Sequence, residues 1–168
     1  MRVAILGGGV IAGLFLDHIR RGDLGAVEVV AIAGRSGASR GKALAAEFNV
    51  GFVTSLAALL AYKPEVVVEA ASHEAVREYC GALLDQGIAV IVLSGGALCD
   101  DALRARLEAS ANSSGALLYV PSGGICGLDA LKAACIAGVD EVEIAVTKPP
   151  AAWKGIAYVE KMKIDLDA

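Results

Sequence analysis

RVAILGGGVIAG, from Arg2 to Gly13, decides the fold: a short apolar run of strand length leads through a glycine turn into a helical pattern. The turn fits G-x-G-x-x-G/A, the dinucleotide-binding pattern. In it the first glycine makes a tight turn, the second lets backbone approach a pyrophosphate, and the third position packs helix on strand. Gly7, Gly9 and Ala12 occupy these positions. The helix start, at Val10 and Ile11, offers free N–H groups to phosphates. The strand-to-helix context distinguishes this pattern from a plain glycine turn.

Apolar runs of strand length alternate with helical patterns through most of the chain. The runs are Ala26–Ala33, Gly51–Val53, Glu65–Glu69, Gly87–Leu93 and Gly115–Val120. This rhythm is typical of an α/β fold with right-handed crossovers between parallel strands. We therefore predict a Rossmann-type doubly wound parallel sheet.

Two further patterns predict local structure. In the first helix, Ile11, Leu14, Phe15 and Ile19 fall at helical spacing, which predicts that they form the face buried against the sheet. Near the other end, residues 140–147 (DEVEIAVT) alternate polar and apolar side chains. This alternation predicts a half-buried strand.

Composition and charge narrow the class of protein. Apolar residues make up 56% of the 168, enough for a sizeable core, and the net charge is −4. The chain has no basic footprint for nucleic acid or an anionic membrane, so we expect neither partner. No apolar run reaches membrane-spanning length, and the N-terminal run reads as a strand, so we expect a cytoplasmic protein. The four cysteines show no C-x-x-C spacing, which predicts reduced thiols and no metal site.

The residues after the second strand bear on the choice of cofactor. A strict NAD site places Asp or Glu there to hold the adenosine 2′-hydroxyl. This chain has Gly34-Arg35-Ser36 instead, with Arg40 close behind. A guanidinium pairs well with a 2′-phosphate, so Arg35 is a candidate ligand and NADP is expected beside NAD. The alternative is that Arg35 is a solvated loop residue.

The carboxyl ends of the later strands supply further candidates. In a doubly wound sheet the end of the fourth strand lies across from the glycine turn, which predicts that Ala71 and Ser72 contact the nicotinamide ribose. Ser94, at the end of the fifth strand, is a candidate by the same reasoning. His73 either takes part in chemistry or simply opens the next helix. After the sixth strand a second glycine-rich turn, Pro121–Leu131, precedes a helix and approaches the same edge.

Four blocks carry a resemblance to a known family. PSGGICGLDAL (121–131), VTKPPAAWKG (146–155), EAASHEAVREY (69–79) and LSGGALCD (93–100) resemble the L-aspartate dehydrogenases. The likeness covers essentially the whole chain. It implies NAD(P)-dependent oxidation of L-aspartate to iminoaspartate, which yields oxaloacetate and ammonia or feeds pyridine-nucleotide synthesis, in a homo-oligomer.

The resemblance also implies domains and site residues. It implies a Rossmann domain over residues 1–121, with residues 122–168 beginning a smaller α/β catalytic domain. Gly124 matches a position, usually Ala, that contacts the nicotinamide cofactor. The family's catalytic His belongs to a D-x-x-x-H segment that these 168 residues do not contain. We therefore assign no catalytic residue and expect the chain by itself to be inactive on aspartate.

Two alternatives stay open at this point. One is a non-catalytic module that binds NAD(P). The other is a related imine or semialdehyde reductase such as dihydrodipicolinate reductase, whose glycine turn and arginine after the second strand are similar.

Overall fold

The computed structural model describes residues 1–123, 125 and 127–166, and the chain forms two compact units, Met1–Cys126 and Gly127–Ala168. The first unit is built on one parallel sheet with the strand order β3-β2-β1-β4-β5-β6. Its strands are β1 (Arg2–Leu6), β2 (Glu28–Ala33), β3 (Gly51–Val53), β4 (Val66–Glu69), β5 (Ala89–Val92) and β6 (Leu118–Tyr119). The order reverses between β1 and β4, so the predicted Rossmann-type doubly wound sheet is confirmed.

Helices connect the strands of this unit. They are α1 (Val10–Arg20), α2 (Ser39–Glu47), α3 (Leu56–Leu60), α4 (His73–Ala75), α5 (Gly81–Asp85) and α6 (Asp101–Ser114). A π-helical turn, Val76–Cys80, joins α4 to α5, and a 3-10 turn, Gly95–Cys99, follows β5. Polar caps fix several helix starts, since Ser55, Ser72 and Asp100 each accept a hydrogen bond from a backbone N–H three residues on.

The sheet is covered on both faces, as its near-continuous apolar strands predict. Side chains that alternate along a strand point to opposite faces. Ile5 of β1 therefore joins Leu16 of α1 in one cluster, while Ala4 and Leu6 join Leu83 and Leu107 in the other. Because neighbouring strands all pair in parallel, the carboxyl ends of the six strands lie at one edge of the sheet.

The predicted buried face of α1 is partly wrong. Ile11 and Leu14 are each 53% exposed, and the residues buried on this helix are Ala12 and Leu16. The helix leaves the glycine turn so close to the sheet that the small Ala12 is the residue that faces it. This rotation brings Leu16 inward, one turn later, and carries Ile11 and Leu14 to the surface.

The second unit contains α7 (Leu128–Ala137), a 3-10 turn (Pro150–Ala152) and α8 (Ala157–Lys161). The strand predicted at residues 140–147 is wrong, because this segment is exposed and forms no strand. An alternating pattern becomes a strand only when a neighbour supplies the ladder hydrogen bonds. Within the described residues no segment pairs with this one.

The contact between Gly8 and Gly41 generates a test of the fold. A Cβ built on Gly8 would overlap the Cα atom of Gly41 in α2, where only backbone faces backbone. We expect Gly8→Ala to lower the free energy of unfolding by about 1–3 kcal/mol, the usual cost of overpacking. Urea unfolding followed by circular dichroism measures it.

Gly37→Ala is the matched control for this variant. Gly37 is exposed and a Cβ there meets no atom within 4 Å. Its stability should stay within about 0.5 kcal/mol of the parent, as for ordinary surface substitutions. Equal stability of the Gly8 and Gly37 variants would contradict the close contact.

Candidate functional site

A cavity of about 670 Å³ opens at the carboxyl edge of the sheet in the first unit. Its lining comes from the residues that follow β1, β2, β3 and β4, together with the start of the helical segment after β4. The principal lining residues are Gly7, Gly8, Gly9, Arg35, Arg40, Thr54, Ser55, Ala70, Ala71, Ser72, Glu74, Glu78 and Tyr79. This is the crevice at the point of strand-order reversal where doubly wound sheets bind ligands.

The glycine turn forms one wall, and each of its three key positions has a distinct geometry. Gly7 has φ +113°, and a Cβ there would lie 2.5 Å from the carbonyl oxygen of Ala70. Gly9 has φ −82°, and a Cβ there would meet no atom within 4 Å. Ala12 is 1% exposed and belongs to the core cluster beneath α1. The first position is thus constrained by packing, the second faces open space, and the third packs helix on sheet.

Five of the predicted contact residues line the cavity: Gly7, Gly9, Arg35, Ala71 and Ser72. Ala12 lies beneath it, as its packing role requires. Val10 and Ile11 are exposed at the start of α1 and are absent from the lining, so what they offer is backbone N–H. Gly124 lies outside the described residues.

Ser94 and His73 are absent from the lining of the cavity and contact other residues instead. The hydroxyl and N–H of Ser94 both donate to the carboxylate of Glu69. His73 is exposed at the first position of α4, and a Cβ on Gly96 would lie 2.8 Å from its Nε2 atom. The structure therefore leaves His73 at a helix start, packed against a glycine turn.

Two arginines stand at the end of the cavity formed by the residues after β2. Arg35 and Arg40 both line it, and neither forms an ion pair within the described part of the chain. No acidic residue follows β2 in the lining. This end of the cavity therefore offers positive charge to an anionic group.

Acidic and phenolic groups line another wall, which the sequence reasoning missed. Glu74, Glu78 and Tyr79 all face the cavity, the latter two from the π-helical turn. Its own backbone N–H and the Ser72 hydroxyl hold the pKa of Glu74 below its usual value. A hydrogen bond to Glu78, with burial, raises the pKa of Tyr79. A π turn widens the helical repeat by one residue, a change that periodicity does not reveal.

Glu69 is the second feature that the sequence reasoning missed. Its side chain is fully buried at the end of β4, although glutamate is an ionisable residue. It accepts hydrogen bonds from the N–H groups of Ala71, Ser72 and Ser94 and from the Ser94 hydroxyl. A glutamate that closes an otherwise apolar strand (VVVE) is the signal in the sequence that marks it. Glu69 fixes two of the loops at the carboxyl edge.

Comparison with known proteins identifies relatives along nearly the whole chain. Residues 7–121 match the family described as "Homoserine dehydrogenase, NAD binding domain". L-aspartate dehydrogenase 2 of Bordetella pertussis is 41% identical over 173 residues, covering 99% of this chain and 60% of that protein. L-aspartate dehydrogenase of Methanothermobacter thermautotrophicus is 40% identical, covering 96% and 61%. The resemblance to L-aspartate dehydrogenases is confirmed, and the chain spans about 60% of the length of these relatives.

Solved structures share the fold. Biliverdin reductase from Synechocystis, crystallised with biliverdin and NADP+, superposes with a TM-score of 0.62 at 27% identity, covering 71% of this chain and 37% of that one. The WlbA dehydrogenase from Bordetella pertussis, crystallised with NADH and UDP-GlcNAcA, gives 0.65 at 20% identity, covering 82% and 42%. The second likeness bears on the fold alone.

The open space at Gly9 generates a test of the cavity. Gly9 has backbone angles that valine adopts, and a Cβ there meets no atom within 4 Å. We therefore expect Gly9→Val to fold normally while its side chain occupies space beside the turn. We expect NADH affinity to fall at least about tenfold, because a second glycine at this position admits the pyrophosphate. Fluorescence titration with NADH measures it.

Gly37→Val is the control, since Gly37 also has open space and does not line the cavity. It should bind NADH as the parent does. Unchanged affinity in a folded Gly9→Val variant would show that the pyrophosphate does not lie at this turn.

Proposed function

The chain belongs to the family of the homoserine dehydrogenase NAD-binding domain, and on this premise we propose that it is the dinucleotide-binding part of an L-aspartate dehydrogenase. The observation that carries the proposal is the 41% identity to such an enzyme over 99% of the chain. The cavity at the glycine turn supports it, because its geometry suits the group that this reaction needs.

The residues of the first unit fit a dinucleotide. The open space at Gly9 leaves room for a pyrophosphate, and the start of α1, without an acidic residue in its first turn, offers N–H groups and partial positive charge. We assign Arg35, which lines the cavity after β2, to the adenosine ribose. Ala71, Ser72, Ser94 and Gly124 are the proposed contacts of the nicotinamide half.

These positions define what residues 1–168 contribute to the proposed reaction. When bound, the dinucleotide would supply the hydride acceptor for oxidation of the substrate carbon that bears the amine. The part of residues 1–168 would be to hold the dinucleotide at the glycine turn, at Arg35 and at the residues after β4 and β5. We assign no residue of this stretch to proton transfer, and we take residues 122–168 as the beginning of a catalytic domain. A homo-oligomer in the cytoplasm completes the proposal.

The identity of the proposed substrate is tested by measuring NADH formation from L-aspartate at alkaline pH, with L-glutamate and D-aspartate as controls. We expect activity on L-aspartate from the complete product of the gene that encodes this chain. Residues 1–168 alone should show none above background, because a positioned acid–base group is worth about 10²–10⁴-fold. A complete product that binds NADH and oxidises no amino acid would instead be a binding module.

The position of Arg35 after β2 predicts how the protein distinguishes NADPH from NADH. Arg35→Ala should weaken NADPH binding by about 1–3 kcal/mol, the cost of a lost charge-assisted hydrogen bond, and leave NADH binding nearly unchanged. Arg21→Ala is the control, because Arg21 is an exposed arginine at the end of α1 that does not line the cavity. Parallel titrations measure both affinities. Equal losses for NADH and NADPH would show that Arg35 does not read the 2′-phosphate.

A further inference from the structure

Glu69 combines complete burial with a full set of hydrogen-bond donors. Its Oε1 atom accepts from the Ala71 N–H at 2.8 Å, the Ser72 N–H at 3.0 Å and the Ser94 hydroxyl at 2.9 Å. Its Oε2 atom accepts from the Ser94 N–H at 2.9 Å. Its exposed fraction is 0%. The side chain thus joins Ala71 and Ser72, in the segment after β4, to Ser94, in the segment after β5.

These partners fit the ionised form of the side chain. A carboxylate accepts at both oxygens, whereas a protonated carboxyl group must donate at one of them. Each oxygen of Glu69 faces at least one N–H group, which cannot accept a hydrogen bond, and the Ser94 hydroxyl donates to Oε1. No Lys, Arg or His forms an ion pair with Glu69 within the described residues. The site therefore holds a negative charge that peptide dipoles stabilise and that no cation neutralises.

The position of this charge relates it to one half of the proposed ligand. β4 begins the second half of a doubly wound sheet. The first half carries the glycine turn and the protein residue that contacts the adenosine ribose. Ala71 and Ser72, which Glu69 holds, line the cavity, while Glu69 itself lies beneath them. The charge therefore lies behind the cavity wall on the nicotinamide side.

We propose that Glu69 is a positioning residue whose charge makes the cavity favour the oxidised, cationic nicotinamide ring over the neutral, reduced one. This inference rests on the proposed function, since it requires a dinucleotide in the cavity. Opposite charges attract across protein with far less screening than in water, and only the oxidised ring carries the positive charge. The field of Glu69 thus draws the equilibrium of the bound cofactor toward NAD+, which is the form that an oxidation consumes.

A neighbouring thiol responds to the same charge. Cys80, buried on the π-helical turn, has a pKa raised to about 12, mainly through burial and in part through the negative charge of Glu69. Another anion is thus disfavoured beside Glu69, as a cation is favoured there.

The test compares three ligands on the 168-residue chain: NAD+, NADH and ADP-ribose, which lacks the nicotinamide ring. Calorimetric titrations are made with the parent, Glu69→Gln and Glu65→Gln. Gln removes the charge of Glu69 at nearly constant shape. Glu65→Gln is the matched control, because it makes the same change at an exposed residue just before β4 that does not line the cavity. Thermal unfolding of each variant shows that it is folded.

The inference expects the ratio of NAD+ to NADH affinity to fall on the order of tenfold in Glu69→Gln and to stay unchanged in Glu65→Gln. ADP-ribose should bind both variants alike. A purely structural role would weaken NAD+ and NADH equally, and that result would overturn the inference while the dinucleotide site stands. If none of the three ligands binds the parent, the proposed function fails, and the inference fails with it.

The parent provides a second criterion that needs no variant. With the charge present, NAD+ should bind at least as tightly as NADH. If Glu69→Gln does not fold, tighter binding of NADH by the parent would overturn the inference, and NAD+ binding equal or tighter would support it.

Discussion

Direct contact between backbones at the turn after β1 is the constraint on which the first unit depends. Gly7 lies against the carbonyl of Ala70, and Gly8 lies against Gly41, so that β4 and α2 both approach the turn with no side chain between them. The N–H of Gly7 donates to the carbonyl of Ala33 at 2.8 Å, which ties β2 to the same point. Three elements are thereby held around the start of α1, and the cavity is the space that this arrangement leaves.

Much of this arrangement could be predicted from sequence. The apolar runs predicted the six strands of the parallel sheet, because buried parallel strands are short and almost free of polar residues. The glycine pattern located the cavity, since its spacing carries a steric meaning that few other residues satisfy. Ser55 as a helix cap and Leu103 with Leu107 as the buried face of α6 follow equally local rules.

Other features depended on tertiary structure and were beyond sequence patterns. The buried face of α1 is set by how closely the helix approaches the sheet, so Ile11 and Leu14 point outward despite their hydrophobicity. Residues 140–147 have the alternation of a strand, but alternation says nothing about the presence of a neighbour to pair with. The partners of Glu69 lie 2, 3 and 25 residues away, and the last of these distances exists only once β4 and β5 are adjacent.

The central place of β1 in the sheet has a consequence for synthesis of the chain. β1 is synthesised before β4, yet β4 is one of its two neighbours, and its Val66 pairs with Val3. A bacterial or eukaryotic ribosome adds roughly 5–20 residues per second, so this apolar strand waits several seconds with an open edge before its partner emerges. During that interval β2 can pair with only one edge of β1. The nascent chain therefore carries an unpaired apolar edge until β4 emerges, and such an edge favours aggregation.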